Sequence, residues 1–301
     1  MLNTHIDETT CIVLITDSNY LRYTSYLVTK IHTVQETSVK IFVLTLDVSK
    51  EDFSNLFKFT DVEQIQFNLQ SLVKFGIEPQ GHVSIASYAK ILISRLIPKE
   101  FVKCLYLDID IYVVDDLQPI LDFPLNRAIA ANQFDNGEGM DLFGTYHATY
   151  FSAGLLIIDL ARWRQELVSE GLIDLLQKFP KLPRGDNDLL NIYFRENWQP
   201  LPLTFNFMAE LPLNGKLYNR DITPLIVHLV GARKPWGSRG HTIWHTQYRS
   251  EFLDLFPGEL KLTRADSVYF RFLRSLAHKL PLLVKLVPRK FKDKILIFGE
   301  K

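Results

Sequence analysis

Two short apolar runs, "CIVLIT" (11–16) and "KIFVLTL" (40–46), leave few folds open to this chain. They are rich in leucine and β-branched residues and lack the alternation of a strand with one wet face, so they read as strands buried on both sides. Between them "NYLRYTSYLVTKIHTV" carries apolar residues at helical spacing, which makes a βαβ unit. An apolar stretch at 62–69 ("VEQIQFNL"), a predicted helix over 86–97 ("ASYAKILISRLI") and a predicted strand in "CLYLDIDIYVV" continue the alternation. The expected fold class is α/β, a mostly parallel sheet with helices on its faces. Ligands of such sheets gather beyond the carboxyl ends of the strands. Thr16-Asp17-Ser18-Asn19 and Asp108-Ile109-Asp110 fall at or near such ends.

The second half is mixed. A strand is expected within 150–160 ("YFSAGLLIIDL"), helices over 172–179 and 187–194, and an aromatic, loop-rich stretch over 226–236. There is no internal repeat and no low-complexity linker; only near residue 265 does the character of the chain change. The 301 residues are 47% hydrophobic, enough to bury the core of one large domain or two modest ones. A formal charge of zero argues against nucleic acid as a partner. The first ten residues lack the basic-then-apolar pattern of an export signal and no run is long enough to span a bilayer, so the chain is expected to be cytoplasmic. Cys11 and Cys104 each sit where an apolar strand begins, with no partner at metal-ligand spacing, and read as buried reduced thiols.

Neither G-x-G-x-x-G after the first strand nor G-x-x-x-x-G-K-[ST] occurs, which sets aside the dinucleotide and P-loop sites. Gly137 and Gly139 form a lone G-x-G that reads as a flexible turn. Asp108 and Asp110 interrupt an otherwise apolar run. Two residues apart on a strand they are expected to point the same way, and burying two like charges costs several kcal/mol unless a cation meets them. Oxygen ligands suit Mg2+ or Mn2+. On these residues alone, solvent-facing carboxylates on an edge strand remain an equal alternative.

Seven blocks, "VLITDSNY", "SIASYAKILIS", "CLYLDIDIYVVDDL", "YFSAGLLIIDLARWR", "GDNDLLN", "LTFNFMAE" and "VHLVGARKPW", occur in the order and approximate spacing of bacterial family 8 glycosyltransferases. The resemblance is nearest to the lipopolysaccharide galactosyl- and glucosyltransferases, retaining enzymes of the GT-A fold, and covers about residues 11 to 250. It implies a donor UDP-sugar, UDP-glucose or UDP-galactose, and Mn2+ (or Mg2+) held by Asp108, Asp110 and His228. It also implies that Asp17 and Asn19 read the uracil, that Ile109 lies along the nucleotide-sugar, and that Lys90 takes the place of an arginine on the diphosphate or sugar. Gly231 and Lys234 match the positions that meet the diphosphate, and His82, Val83 and Ser84 the loop near donor and acceptor. Asp186 matches the carboxylate that holds donor-sugar hydroxyls. Asn187 stands where a glutamine faces the anomeric carbon, and Asp186 and Asn187 are the catalytic candidates. Ser152 replaces a common asparagine at the donor, and Asn132 stands where a carboxylate often lies. Retention without a well-placed nucleophile implies departure of UDP and attack by the acceptor hydroxyl on the same face.

Residues 1–265 are expected to form the catalytic domain and 266–301 a separate tail. There Arg271, Arg274, Lys279, Lys285, Arg289, Lys290, Lys292 and Lys294 alternate with leucine, valine and phenylalanine, a composition suited to lying on an anionic membrane surface. A helical pair packed on the catalytic domain is the alternative. The similar enzymes carry basic, aromatic C-termini and act on lipid-linked acceptors. The expected function is therefore hexose transfer to a lipid-linked surface glycan at the inner face of the cytoplasmic membrane. A protein-linked or soluble acceptor, or a UDP-binding relative that has lost transfer, remains open.

Overall fold

A computed structural model describes residues 8–68, 85–134, 149–180, 182–208, 223–231, 234–237 and 242–260. The 266–301 tail and the His82–Ser84 loop of the sequence reading lie outside the described residues. The first half runs β1 (Thr10–Asp17), α1 (Leu21–Val34), β2 (Lys40–Leu46), α2 (Lys50–Leu56) and β3 (Val62–Phe67). A 3-10 segment (Ile85–Leu92) leads into α3 (Ile93–Leu96), then β4 (Lys103–Leu107), β5 (Ile111–Val113), α4 (Gln118–Leu121) and β6 (Ile129–Gln133). Next come β7 (Phe151–Asp159), α5 (Leu160–Gln165), α6 (Val168–Lys178), α7 (Asp186–Phe194), β8 (Gln199–Pro200), β9 (Phe207–Met208), β10 (Ile226–His228) and α8 (Ile243–Leu255). The main sheet has the order β3-β2-β1-β4-β7-β6-β8; β7 runs antiparallel to β4 and β6, and the other pairings are parallel.

The unbroken apolar runs have a direct structural cause. Along β1, Cys11, Val13 and Ile15 belong to one core cluster while Ile12 and Leu14 belong to another, and β2 divides in the same way into Phe42 and Leu44 against Ile41 and Val43. Successive side chains of a strand face opposite ways, so both faces of the sheet are covered. One layer holds residues of α6 and α7 (Leu172, Leu176, Leu189, Leu190), the other residues of α1 (Leu21, Leu27, Val28, Ile31). Cys11 and Cys104 are buried and free, and burial pushes both thiols far up from their ordinary range.

Two expectations change in the first half. The helix over 86–97 is mostly 3-10, with only Ile93–Leu96 α-helical. Residues 88 to 94 are all buried, so the apolar content of this segment marks continuous burial rather than one face of a helix. The run "CLYLDIDIYVV" is two strands: β4 in the main sheet and β5 in a three-stranded sheet of order β5-β10-β9. Asp108 and Asp110 thus flank a turn. A strand carried on through both would thrust two carboxylates into the apolar layers, whereas the turn leaves the Asp108 side chain 32% exposed.

The described residues fall into two compact units. The first runs from β1 to Phe207 and includes Ile226; the second takes in Met208 and the described residues from Val227 on. In the second, Thr242 caps α8 through the His245 N–H, and Arg249 donates to the carbonyls of Pro235 (2.8 Å) and Gly237. That guanidinium fixes the loop that carries Lys234 and Trp236 to the helix.

Candidate active site

Parallel neighbours β1 and β4 are in register from Thr10↔Lys103 to Leu14↔Leu107, so their carboxyl ends lie side by side. Asp17 ends β1. Its carboxylate accepts from the Asn19 N–H at 2.9 Å, closing a turn before α1, whose own N-cap, Tyr20, makes no side-chain cap. Asp108 is the first residue past β4 and is held there by its N–H on the Gly154 carbonyl at 2.8 Å. Two residues on, Asp110 is 4% exposed. The Val114 N–H donates to Leu225 O at 2.8 Å, which sets the start of β10 beside the end of β5.

Asp108, Asp110 and His228 each offer a ligand atom, and these atoms lie within 4.8 Å of one another. Ligands about 2.1 Å from a shared ion can be at most about 4.2 Å apart, so small side-chain rotations close the set. Two carboxylates and an imidazole are a hard-to-borderline donor set that fits Mn2+ or Mg2+.

Against Asp108 sits Lys90, 2% exposed. Its ammonium donates to Asp186 Oδ2 at 2.6 Å and Ala153 O at 3.1 Å, pairs with Asp108 Oδ1 at 3.1 Å, and lies 4.7 Å from the centre of the Tyr106 ring. Burial alone would pull its pKa down, but Asp108 and Asp186 more than offset this, and the group is held charged. Tyr106 donates its hydroxyl to the same Asp108 oxygen at 2.5 Å. The segment bearing Lys90 is anchored from α5: the Arg164 guanidinium takes the carbonyls of Ser94 (2.9 Å), Ile97 (3.0 Å), Pro98 (3.2 Å) and Phe101 (2.8 Å), which closes the end of α3.

Opposite, α7 begins at Gly185, whose φ of 55° suits glycine. Three consecutive residues then serve three purposes. Asp186 meets Lys90. Asn187 accepts the Ala153 N–H through Oδ1 at 2.7 Å, tying α7 to β7. Asp188, fully buried, accepts the Tyr150 hydroxyl and the Arg184 N–H, both at 2.8 Å. Arg184 in turn lies against the rings of Phe134 and Tyr150.

Ser152 and Asn132 are cross-strand partners on β7 and β6, beside a register shift at Ala131/Asn132. Asn132 donates to Pro202 O at 2.8 Å and to Leu201 O at 3.3 Å, while its amide oxygen is buried without a hydrogen-bond partner. Ile109 occupies the turn between the two aspartates. Gly231, three residues beyond His228, has φ of 80°, and Lys234 is half-buried in the loop that follows. The structure therefore brings the ligand atoms of Asp108, Asp110 and His228 within reach of one another, and joins Lys90 to Asp108 and Asp186.

Comparisons with known proteins identify the family and the fold. The model of glycosyl transferase family 8 matches residues 11–240. The chain belongs to that family. Family 8 members are transferases, and this chain is one. It is 27% identical over 266 residues to general stress protein A of Bacillus subtilis, covering 80% of this chain and 92% of that one. It is 25% identical over 242 residues to the lipopolysaccharide 1,2-glucosyltransferase of Escherichia coli, covering 73% and 70%. Two glycosyltransferases of Streptococcus pneumoniae match at 27% identity, and the chain spans 65% and 56% of their lengths. The galactosyltransferase LgtC, solved with donor and acceptor sugar analogues, superposes with a TM-score of 0.70 over 87% of this chain and 99% of LgtC at 20% identity. The fold of this family 8 chain is accordingly GT-A, a mixed, mostly parallel sheet flanked by helices.

Tyr106, Tyr150, Arg184 and Asp188 were not singled out from the sequence, although all four reach the candidate residues or their supports. The "DND" of 186–188 repeats the two-apart carboxylate pattern of 108–110, and that was the one available signal for Asp188.

Proposed function

We propose that this chain moves a hexose, glucose or galactose, from a UDP-sugar to a hydroxyl of a glycan acceptor with retention of anomeric configuration, using a divalent cation on Asp108, Asp110 and His228. The observation that carries the reading is the approach of those three side chains, with Lys90 pairing both Asp108 and Asp186. An ion bound there would neutralise charge on the departing diphosphate. Asp17 and Asn19 would hold the uracil edge through directional hydrogen bonds. The Gly231 backbone and the Lys234 ammonium would meet the diphosphate, Ile109 would lie along the donor, and Asp186 would accept from sugar hydroxyls. Asn187, fixed by the Ala153 N–H, would turn the second lone pair of its oxygen towards the oxocarbenium-like state. The acceptor hydroxyl would attack on the face that UDP leaves, its proton passing to the diphosphate. His82 and Ser84 are proposed to line the acceptor side, with Ser152 at the donor.

Mass spectrometry of a panel of UDP-sugars incubated with the protein and Mn2+ tests this, because transferases of this kind slowly pass their donor to water. One UDP-hexose should be consumed, and a chelator should stop its loss. A panel left intact with Mn2+ and glycan acceptor present would overturn the donor assignment.

A lipid-linked surface glycan is the proposed acceptor class, at the inner face of the cytoplasmic membrane. It is supported by the activity of the Escherichia coli relative and by the basic, apolar composition of 266–301. Among the described residues no helix is long and apolar enough to cross a membrane. Each basic residue near an anionic surface contributes on the order of 1 kcal/mol, and the apolar side chains add a salt-resistant part. The full chain should sediment with anionic vesicles at low salt and be partly released by high salt, whereas a chain ending near Asp266 should stay in solution and still consume its donor. A full chain that ignores such vesicles at every salt concentration would remove the membrane association. A truncated chain that unfolds would instead place the tail in the core of the catalytic domain.

A further inference from the structure

We infer that Lys90 is a positioning residue that couples the metal-binding carboxylate to the sugar-holding carboxylate, rather than a ligand of the donor diphosphate. The inference rests on the proposed roles of Asp108 and Asp186 and adds the link between them. An ammonium has three N–H bonds. Those of Lys90 face Asp186 Oδ2, Ala153 O and Asp108 Oδ1, at 2.6, 3.1 and 3.1 Å, so its donors are spent on the protein. With 2% of the residue exposed and Tyr106 across its other side, the group has no open face to turn towards a diphosphate without giving up one of these partners. An arginine at this place could fork outward while keeping an inner contact; a lysine acts as a point charge.

The charges make the coupling specific. Lys90 pairs with two carboxylates, those of Asp108 and Asp186, and one of the two, Asp108, also belongs to the candidate metal set. Asp108 is shared between Lys90 and the metal position. When Asp186 holds Lys90 firmly, Lys90 draws less on Asp108, and Asp108 is the better metal ligand. Without the carboxylate of Asp186, Lys90 leans on Asp108 alone and competes with the ion. By reciprocity, a bound ion that engages Asp108 strengthens the Lys90–Asp186 contact and sets Asp186 for the donor sugar.

Calorimetry with Mn2+ alone, on the full wild-type chain, Lys90→Met, Asp186→Asn and the double variant, tests the link without any turnover. Lys90→Met should bind Mn2+ more tightly than wild type, the opposite of what a merely damaged site would do. Asp186→Asn should weaken Mn2+ binding at least about 5-fold, the lower end of ordinary coupling between sites, and most of that penalty should vanish in the Lys90→Met background. In saturating Mn2+, Lys90→Met should keep its affinity for UDP within about 2-fold while losing the extra affinity that the hexose of the UDP-sugar supplies. Equal Asp186→Asn penalties in both backgrounds would show a through-space effect and overturn the coupling. A parallel loss of UDP and UDP-sugar affinity would make Lys90 a diphosphate ligand after all. If wild type binds no Mn2+, the metal centre itself is refuted and the coupling with it, an outcome distinct from additive penalties in a protein that binds the ion. Should Lys90→Met not fold, an unchanged Mn2+ affinity in Asp186→Asn alone is sufficient to overturn the proposal.

Discussion

Asp110→Asn and His228→Ala should each lower transfer roughly a thousandfold, the effect expected when several kcal/mol of charge stabilisation is removed from a departing diphosphate. Asparagine is the sharper probe at position 110, because it keeps an oxygen of the same reach and removes only the charge. Asp110 is 4% exposed and His228 3%, so neither side chain has much room to be replaced by bulk water acting as a ligand. Both variants should bind UDP in Mn2+ about as weakly as wild type binds it in chelator, since the ion and not the side chain would carry the contact. Calorimetry decides the matter. Wild-type protein with the same affinity for UDP with and without Mn2+ would leave the Asp108–Asp110–His228 trio as a structural cluster and remove the centre of the functional reading.

How much of this was legible in the chain depends on the range over which each feature is determined. Strand β2 falls at 40–46 as read, because six consecutive residues buried on both faces leave their mark in composition alone. The antiparallel course of β7 was not legible: an apolar nine-residue strand looks the same whichever way its neighbours run. Helix α2 escaped because only Phe53 is buried and no stripe forms, although Ser49 three residues before Asp52, whose N–H it caps at 3.0 Å, was a usable signal. In the site, Asp108, Asp110 and His228 could be named from family blocks, but the reason the aspartates converge was misread: a turn between two sheets brings them together, not the alternation of one strand. The partners of Lys90 were beyond any local pattern, since Asp186 lies 96 residues away. Contacts of that separation are determined by how β4, β7 and α7 pack.

The same packing predicts that neighbouring substitutions at the start of α7 will separate stability from chemistry. Asp188→Ala should be the more destabilising. It strips the acceptor from the Tyr150 hydroxyl and from the Arg184 N–H, two half-buried hydrogen bonds whose loss costs about 2 kcal/mol together. The Asp188 carboxylate also reaches back over the first turn of the helix to the N–H just before Gly185, so its loss frees the turn that presents Asp186 and Asn187. Asn187→Ala removes one acceptor, that of the Ala153 N–H, and should cost about 1–2 kcal/mol. Its larger effect should fall on turnover, with UDP affinity nearly unchanged, because its oxygen meets the β7 backbone beside Ser152, where the donor sugar is proposed to lie, and not the end of β1, where the uracil is proposed to lie. Denaturant unfolding paired with UDP titration separates the two. If Asn187→Ala loses UDP affinity and turnover in the same proportion, the residue serves the nucleotide. If Asp188→Ala unfolds at the wild-type midpoint, the Tyr150–Asp188–Arg184 cluster does not hold the helix, and the positions of Asp186 and Asn187 must be determined from α7 and β7 alone.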